Sequence, residues 1–259
     1  MKLWIQSSAN MGVDPTWADY ELALRKHLQD VARVDTDIYL RGTSVFSPGV
    51  NYFWYDRHLH ASQIIEAAIQ AEREGYDAFV QTGMLDYGYF EIKEAISIPV
   101  VFPVETSLHI ATLLASRFAF LAMHPAFLEH LTQRANLYGF QDRMVSGGCV
   151  EIHYKELGEA FKNPEPVIKK LTVEANKLSE RGANILVCAG NPITMLLISN
   201  GIKEIGGVHV LDSIGILVKM AETMIDLDRM GVNRNEMGIY SPMPKQDLRR
   251  TRDTYGVDK

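Results

Sequence analysis

The chain has 259 residues, of which 47% are apolar and 22% charged, and this ordinary globular composition excludes a disordered, collagen-like or coiled-coil protein. Its 26 basic and 32 acidic residues give a net charge of −6, which argues against a nucleic-acid partner because there is no basic excess to release counterions. Two cysteines cannot form a disulfide framework, so we expect a reducing, cytoplasmic location. We expect no membrane partner either, because the most apolar stretch falls short of the ~20 residues of a span.

Strands and helices alternate along the chain. A short apolar strand at 2–6 opens it, and Asp14-Pro15 then marks a helix start, with Asp at the N-cap. The other predicted strands are 37–40, 77–82, 98–103, 118–123, 145–152, 185–187 and 208–211. The other predicted helices are 62–74, 106–116, 125–138, 164–181, 193–202 and 214–230. This alternation predicts an α/β fold with a mainly parallel sheet, followed by a polar, extended arm at 233–259 that packs on a neighbouring subunit.

One supersecondary unit occurs twice in the chain. Residues 75–83 and 182–190 each begin with a glycine that ends a helix, continue as a short apolar strand and end at a second glycine. Ligands of parallel α/β proteins bind beyond the carboxyl ends of the strands. We therefore expect the loops that follow the two strands to face each other across one cleft.

Polar residues follow several of the predicted strands, where their hydroxyl, amide and backbone N–H groups can bind a carboxylate or imide oxygen. The candidates are Ser8, Asn10, Thr82, Thr106 and Ser107. None of these loops carries an arginine, so we expect neutral donors to do the binding. Asp86 either binds a ligand or caps the next helix.

Common cofactor and hydrolase motifs are missing from the sequence. It contains no GxGxxG, no GxxxxGK[ST], no HExxH and no GxSxG pattern, and the pair His58 and His60 has no evident third metal ligand. We therefore expect no cofactor and no metal ion.

Cys188 is predicted to follow the strand 185–187 and to precede a helix, where the helix N-terminus would favour a thiolate and lower its pKa. The alternative is that Cys188 is a small buried apolar residue, which is the usual place of a free cysteine. Cys149 falls within a predicted strand, and we assign it to the core.

Over residues 1–232 the sequence resembles the aspartate/glutamate/hydantoin racemase superfamily, and its hydantoin racemase branch most closely. The resemblance rests on four blocks in order, at 77–86, 98–111, 182–190 and 208–212. It implies two similar lobes, each a mainly parallel four-stranded sheet flanked by helices, with the active site in the cleft between them. The first lobe would comprise 1–104 and 213–232, the second 105–212, and the arm 233–259.

In these racemases two cysteines, one from each loop, exchange a proton at the substrate α-carbon without a cofactor. The resemblance implies that Cys188 is the cysteine of the second loop, with Ala189 and Gly190 beside the substrate. At the first position this sequence has Gly83, so one thiol is missing. A single-cysteine site is similar in this respect to arylmalonate decarboxylase, in which the second-lobe cysteine protonates an enediolate held by neutral donors.

Three chemical alternatives remain open. Cys188 serves a decarboxylase-like proton transfer, or a racemase in which Asp86, Tyr87 or a histidine replaces the first cysteine, or a hydrolase or cis–trans isomerase. A non-catalytic protein that binds a small acid is the alternative of another class.

The loop 47–55 is rich in aromatic residues, which either contact a flat ligand or pack beneath the loop or in a subunit interface. We expect the ligand to be a small carboxylate, an amino-acid derivative or a cyclic imide, and the protein to be a homo-oligomer.

Overall fold

The computed structural model describes residues 1–234, 238 and 240–257. It contains two sheets dominated by parallel strands and flanked by helices, which confirms the predicted α/β class. The strands are β1 (Lys2–Gln6), β2 (Asp37–Arg41), β3 (Ala78–Gln81), β4 (Val100–Val101), β5 (Phe118–Ala122), β6 (Gly148–Cys149), β7 (Ile185–Ala189), β8 (Glu204–Ile205) and β9 (Val208–Val210). The helices are α1 (Ala18–Val31), α2 (Trp54–Arg73), α3 (Tyr89–Ala95), α4 (Pro103–Leu114), α5 (Pro125–Leu137), α6 (Tyr154–Glu159), α7 (Glu165–Glu180), α8 (Asn191–Ser199), α9 (Gly215–Arg229) and α10 (Lys245–Tyr255).

The first sheet has the strand order β2-β1-β3-β4, and all of its strands are parallel. The second sheet has the order β6-β5-β7-β9-β8, in which β8 runs antiparallel to β9. This edge strand is a fifth strand that the predicted four-stranded sheet lacks. Strand β8 has only two residues before the turn at Gly206-Gly207, and two residues are too few to show a strand pattern in the sequence.

The central strands β3, β5 and β7 are buried on both faces, as expected for parallel strands covered by helices on both sides. Each of the two clusters of buried apolar side chains contains residues from both sheets. Helix α9 follows the second sheet in sequence but packs on β3 and β4 of the first. The division at 104 and 212 stays a prediction.

Three predicted boundaries move in the structure. Helix α2 begins at Trp54 and so takes up part of the aromatic loop. Strand β6 contains only Gly148–Cys149, far less than the predicted 145–152. Strand β4 is equally short, and Pro103 starts α4, because proline fits the first helical position.

The prediction of an extended C-terminal arm is wrong, because α10 is a helix that packs on the same chain. It docks through one buried side chain, Arg252, whose two terminal nitrogens lie 2.7 and 2.8 Å from the carboxylate oxygens of Glu66 on α2. Because an ion pair and not an apolar face holds α10 in place, its sequence lacks the apolar periodicity from which a helix is predicted. This explains the error. Residues 235–237, 239, 258 and 259 of the predicted arm lie outside the described residues. No helix in the described part of the chain is long and apolar enough to cross a membrane.

Candidate active site

A cavity of about 240 Å³ lies at the carboxyl ends of the strands of both sheets. Both lobes supply its walls through the segments that follow β1, β3, β5 and β7, together with the start of α1, the loop before α2 and the start of α6. The residues that line it are Ser7, Ser8, Ala9, Asn10, Val13, Asp14, Trp17, Tyr20, Glu21, Phe46, Asn51, Met84, Tyr87, Met123, Phe127, Tyr154, Gly190, Asn191 and Pro192. Such a position is the usual ligand site of a parallel α/β protein.

The two repeated loops meet at this cavity, as the sequence predicts. Asn191, at the start of α8, donates from Nδ2 to the carbonyl oxygen of Thr82 over 2.7 Å. The Asn191 side chain is 7% exposed, and its Oδ1 is buried without a hydrogen-bond partner among the described residues. Asn191 therefore joins the two lobes and leaves a buried acceptor for a ligand N–H.

Gln81 holds the first loop, residues 82–87, in shape. Its side chain donates to the Tyr87 carbonyl over 2.7 Å and accepts from the Tyr87 N–H over 2.8 Å. The Tyr87 ring thereby lies against Gly83: a Cβ built on this glycine would be 2.7 Å from Tyr87 Cε2 and 2.9 Å from Ser8 Cβ. The Tyr87 ring thus fills the space of a side chain at Gly83.

The histidine ring of His60 lies behind Tyr87, with the two ring centroids 5.0 Å apart. Burial lowers the pKa of His60 to about 4, so its imidazole is neutral at pH 7. Burial also raises the pKa of the Tyr87 phenol, while the nearby Arg57 guanidinium acts against this rise. Tyr87 is therefore a neutral hydrogen-bond donor at pH 7.

Asp86 serves the fold and not the cavity. Its carboxylate accepts from the N–H groups of Val104 and Glu105 at the start of α4, over 2.9 and 3.0 Å, and from the Tyr138 hydroxyl over 2.7 Å. Asp86 has a φ of 48°, which is unusual for a residue other than glycine. Burial raises its pKa to about 6. Of the two roles predicted for Asp86, the structure shows the helix cap, on α4 and not on α3.

Thr106 and Ser107 lie inside α4, are buried and do not line the cavity. The predicted helix start at Thr106 is wrong, because α4 begins at Pro103 and both residues lie inside the helix. That they bind a ligand stays a prediction.

Cys188 lies inside β7, where it pairs with Leu121, and not in the loop after the strand. Its side chain has no solvent exposure and belongs to the apolar core. Burial raises the pKa of Cys188 to about 12, so the predicted lowering by a helix N-terminus is wrong. The thiol is also absent from the lining of the cavity.

The internal repeat explains this position. When the sequences of the two units are aligned at Gly75 and Gly182, Gly190 corresponds to Gly83 and Cys188 corresponds to Gln81. Gln81, like Cys188, is a buried strand residue. The position that begins the loop after each strand is therefore a glycine in both units, Gly83 in the first and Gly190 in the second.

The sequence did not predict the wall that residues 14–21, a helical turn and the start of α1, provide. Asp14, Trp17, Tyr20 and Glu21 all line the cavity, and none of them was a predicted binding residue. The signal that was available is the pair of acidic residues that flanks these aromatic residues. Asp14 and Glu21 are the charged residues of the lining, and the described lining contains no lysine, arginine or cysteine.

The aromatic loop 47–55 contributes less to the cavity than its composition suggests. Within the loop Asn51 lines the cavity, as does Phe46 just before it. Tyr52 and Trp54 extend instead to α5, where Tyr52 stacks on His124 with centroids 4.3 Å apart and Trp54 meets His130 edge-on at 4.6 Å. The loop thus bridges from the first lobe to a helix of the second.

Of the predicted binding residues, Ser8, Asn10, Tyr87 and Gly190 line the cavity. Thr82 and Gly83 lie directly beside it, through contacts with Asn191 and Tyr87. The others lie elsewhere: Asp86, Thr106 and Ser107 at α4, and Cys188 and Ala189 in β7. The described residues contain no group of three or more side chains that could hold a metal ion.

Comparison with known proteins gives a consistent set of relatives. The chain is 28% identical over 244 residues to a hydantoin racemase from Pseudomonas sp. (strain NS671), covering 91% of this chain and 93% of that protein. It is 28% identical over 201 residues to a hydantoin racemase from Paenarthrobacter aurescens, covering 75% of this chain and 80% of that protein.

Solved structures share the fold. An allantoin racemase from Klebsiella pneumoniae superposes with a TM-score of 0.79 at 19% identity, covering 95% of this chain and 94% of its own. A glutamate racemase from Francisella tularensis superposes with a TM-score of 0.64 at 13% identity, covering 93% and 85%. The sequence profile of the Asp/Glu/Hydantoin racemase family matches residues 16–221, and this chain is therefore an enzyme of that racemase family.

Proposed function

We propose that this enzyme racemises a cyclic ureide of the hydantoin type, whose ring is uncharged, by moving a proton at the ring carbon next to a carbonyl. The observation that carries this proposal is the lining of the cavity, which in the described chain combines six aromatic side chains with neutral polar groups and has no basic residue. A carboxylate substrate would have no cation to pair with there, whereas a flat neutral ring suits aromatic walls.

The polar groups of the cavity match such a ring. A hydantoin has N–H donors and carbonyl acceptors. Asn191 Oδ1 is a buried acceptor without a partner among the described residues, and Ser8 and Asn10 supply hydroxyl and amide donors. The two relatives named hydantoin racemase agree with this choice of substrate.

We propose Tyr87 and Glu21 as the groups that move the proton. Tyr87 is neutral and fills the space beside Gly83, and the Arg57 guanidinium partly offsets the rise that burial gives the Tyr87 pKa. Glu21 is a partly buried carboxylate of the lining, held by the Gly12 N–H over 2.8 Å. Glu21 takes the proton from one face of the ring carbon, and Tyr87 supplies one to the other face.

The acid–base role that the sequence predicted for Cys188 stays a prediction, and its burial in β7 is the reason why we prefer Tyr87. The decarboxylase alternative needs a substrate with two carboxylates, which the acidic lining disfavours. The hydrolase alternative needs an accessible nucleophile of the kind that Cys188 does not present.

The test is an exchange experiment in deuterium oxide. Enantiopure 5-alkylhydantoins, glutamate, aspartate and phenylmalonate are each incubated with the enzyme, and circular dichroism and mass spectrometry follow racemisation and deuterium uptake. We expect both signals with the hydantoins alone, after subtraction of the uncatalysed rate. Turnover of the dicarboxylates alone would overturn the proposal, and binding of hydantoins without exchange would indicate a non-catalytic protein.

A volume-conserving variant tests the proton acceptor. Glu21→Gln should lower kcat by about 10²-fold or more, because it removes the carboxylate and keeps the shape. Glu129→Gln, on α5 and outside the lining, is the matched control and should leave kcat unchanged.

A further inference from the structure

Within the cavity, one corner combines a carboxylate with stacked aromatic rings. Trp17 and Tyr154 have ring centroids 4.4 Å apart, and Phe46 stacks on Tyr154 at 5.9 Å with an angle of 22° between the planes. Asp14 lines the same cavity beside these rings, and its charge acts on the Tyr154 hydroxyl. We call Asp14, Trp17, Phe46 and Tyr154 the mouth subsite.

The Asp14 carboxylate is ionised and unpaired. It accepts a hydrogen bond from the Thr16 N–H over 2.9 Å, which lowers its pKa below the ordinary value. In the described part of the chain no lysine, arginine or histidine nitrogen lies within 4.0 Å of the Asp14 carboxylate, whereas the Lys162 nitrogen lies 3.9 Å from a carboxylate oxygen of Asp19. An ionised carboxylate at the edge of an aromatic cavity thus has no counter-charge from the part of the chain that the structure describes.

Aromatic faces and a carboxylate attract the same kind of group. The face of an indole or phenol ring is electron-rich and attracts cations, and a nearby carboxylate adds Coulomb attraction. Glu21, farther along the same wall, adds a second negative charge to the cavity. Both carboxylates would repel an anionic substituent of a ligand, whereas a neutral substituent would be neither attracted nor repelled by their charge.

We propose that the mouth subsite binds a cationic substituent of the substrate, so that the preferred ligands are cyclic ureides with a positively charged side chain. This inference rests on the proposed function, because it takes the ring of the ligand to be the group that is racemised. The subsite orients the side chain, and the reacting carbon lies nearer Tyr87 and Glu21.

A matched series of substrates tests the charge preference. The probes are 5-(4-aminobutyl)hydantoin, its neutral counterpart 5-pentylhydantoin, and the anionic 5-(3-carboxypropyl)hydantoin. We expect kcat/KM to be about 10-fold higher for the amine than for the pentyl compound, and lowest for the acid. Raising the ionic strength should reduce the preference, since the mouth is open to solvent.

Substitution of the subsite identifies its source. Asp14→Asn should lower the ratio of kcat/KM between the amine and the pentyl compound by about 5-fold, and Trp17→Leu should lower it further. Asp19→Asn is the matched control, since Asp19 lies five residues farther along, on α1 and outside the lining, and it should leave the ratio unchanged.

The outcomes separate this inference from the proposed function. If the hydantoins are racemised with equal efficiency whatever their charge, or if Asp14→Asn leaves the ratio unchanged, the cation subsite is wrong and the proposed function stands. If no hydantoin is racemised, titration calorimetry with the same amine and pentyl compounds decides. Tighter, Asp14-dependent binding of the amine then supports the subsite while the proposed function fails, and equal or absent binding overturns both.

Discussion

The two repeated units differ most at the glycine that ends each of them. At Gly83 a Cβ would collide with the Tyr87 ring at 2.7 Å. At Gly190 the nearest atoms to a Cβ are 3.8 and 3.9 Å away, on Met123 and Ile193, but the backbone has a φ of +133°, which only glycine adopts readily. Side chains are thus excluded from both positions, by crowding in the first unit and by backbone conformation in the second.

The difference continues along the two loops. Tyr87 in the first unit corresponds to Thr194 in the second, and Asp86 corresponds to Ile193. Tyr87 lines the cavity, whereas the Thr194 hydroxyl is buried beside Ser213, with the two oxygens 3.0 Å apart. The comparison teaches that the ionisable side chains lie in the first of the two loops, whereas the second loop contributes its backbone and the Asn191 amide to the cavity.

Tyr87→Phe should have the largest effect. It removes the hydroxyl and keeps the ring against Gly83, so we expect kcat/KM for a 5-alkylhydantoin to fall by about 10²- to 10³-fold with little change in stability. Tyr255→Phe, on the exposed end of α10, is the control. A loss of less than about 3-fold for Tyr87→Phe would show that the two loops are catalytically alike.

The pH dependence of stability should come from the first loop. The pKa of Asp86 is about 6 in the folded protein, against an ordinary value of 3.8 for an aspartate in an unfolded chain, so the folded state holds the proton more tightly. Protonated Asp86 therefore adds about 3 kcal/mol to the free energy of unfolding below about pH 4, and this contribution is lost as the pH rises through about 6. Urea unfolding from pH 4 to 7 should show this decline relative to Asp86→Asn. Parallel curves for the two proteins would contradict it.

Alanine substitution should separate the two glycines. Gly83→Ala and Gly190→Ala should each lower the free energy of unfolding by about 1–3 kcal/mol, the first through overpacking and the second through backbone strain. In a Tyr87→Ala background the cost of Gly83→Ala should shrink, because the ring is gone, while that of Gly190→Ala should persist. Equal coupling of Tyr87 to both glycines, measured by double-mutant cycles, would show that the two positions are excluded for the same reason.

Cys188→Ala should have the smallest effect on activity. Because the thiol lies in the core strand β7, we expect kcat to stay within about 2-fold and the free energy of unfolding to fall by about 1 kcal/mol. Cys149→Ala, which alters the other free cysteine, is the control. A loss of about 10²-fold for Cys188→Ala alone would restore the thiol mechanism that the sequence predicted.

Local sequence alone determined most of the architecture. The strand at 2–6 has the predicted bounds, and Asp14-Pro15 starts a helical turn at the predicted place. Gly75 and Gly182 follow the ends of α2 and α7 with positive φ, as a glycine after a helix predicts. These features depend on backbone conformation and on neighbours in sequence, so they can be predicted without the tertiary fold.

The identity of the site depended on tertiary contacts. A strand buried on both faces has no alternation of apolar and polar residues, so the sequence could not show that β7 continues through Cys188 and hides its thiol. Gln81 folds the first loop back, so that Asp86 contacts the start of α4 and Tyr87 contacts Gly83. Trp17 lines the cavity beside Tyr154 of α6, a contact between segments far apart in sequence. The sequence placed the cleft between the two loops, but only packing between distant segments decided which side chains reach it.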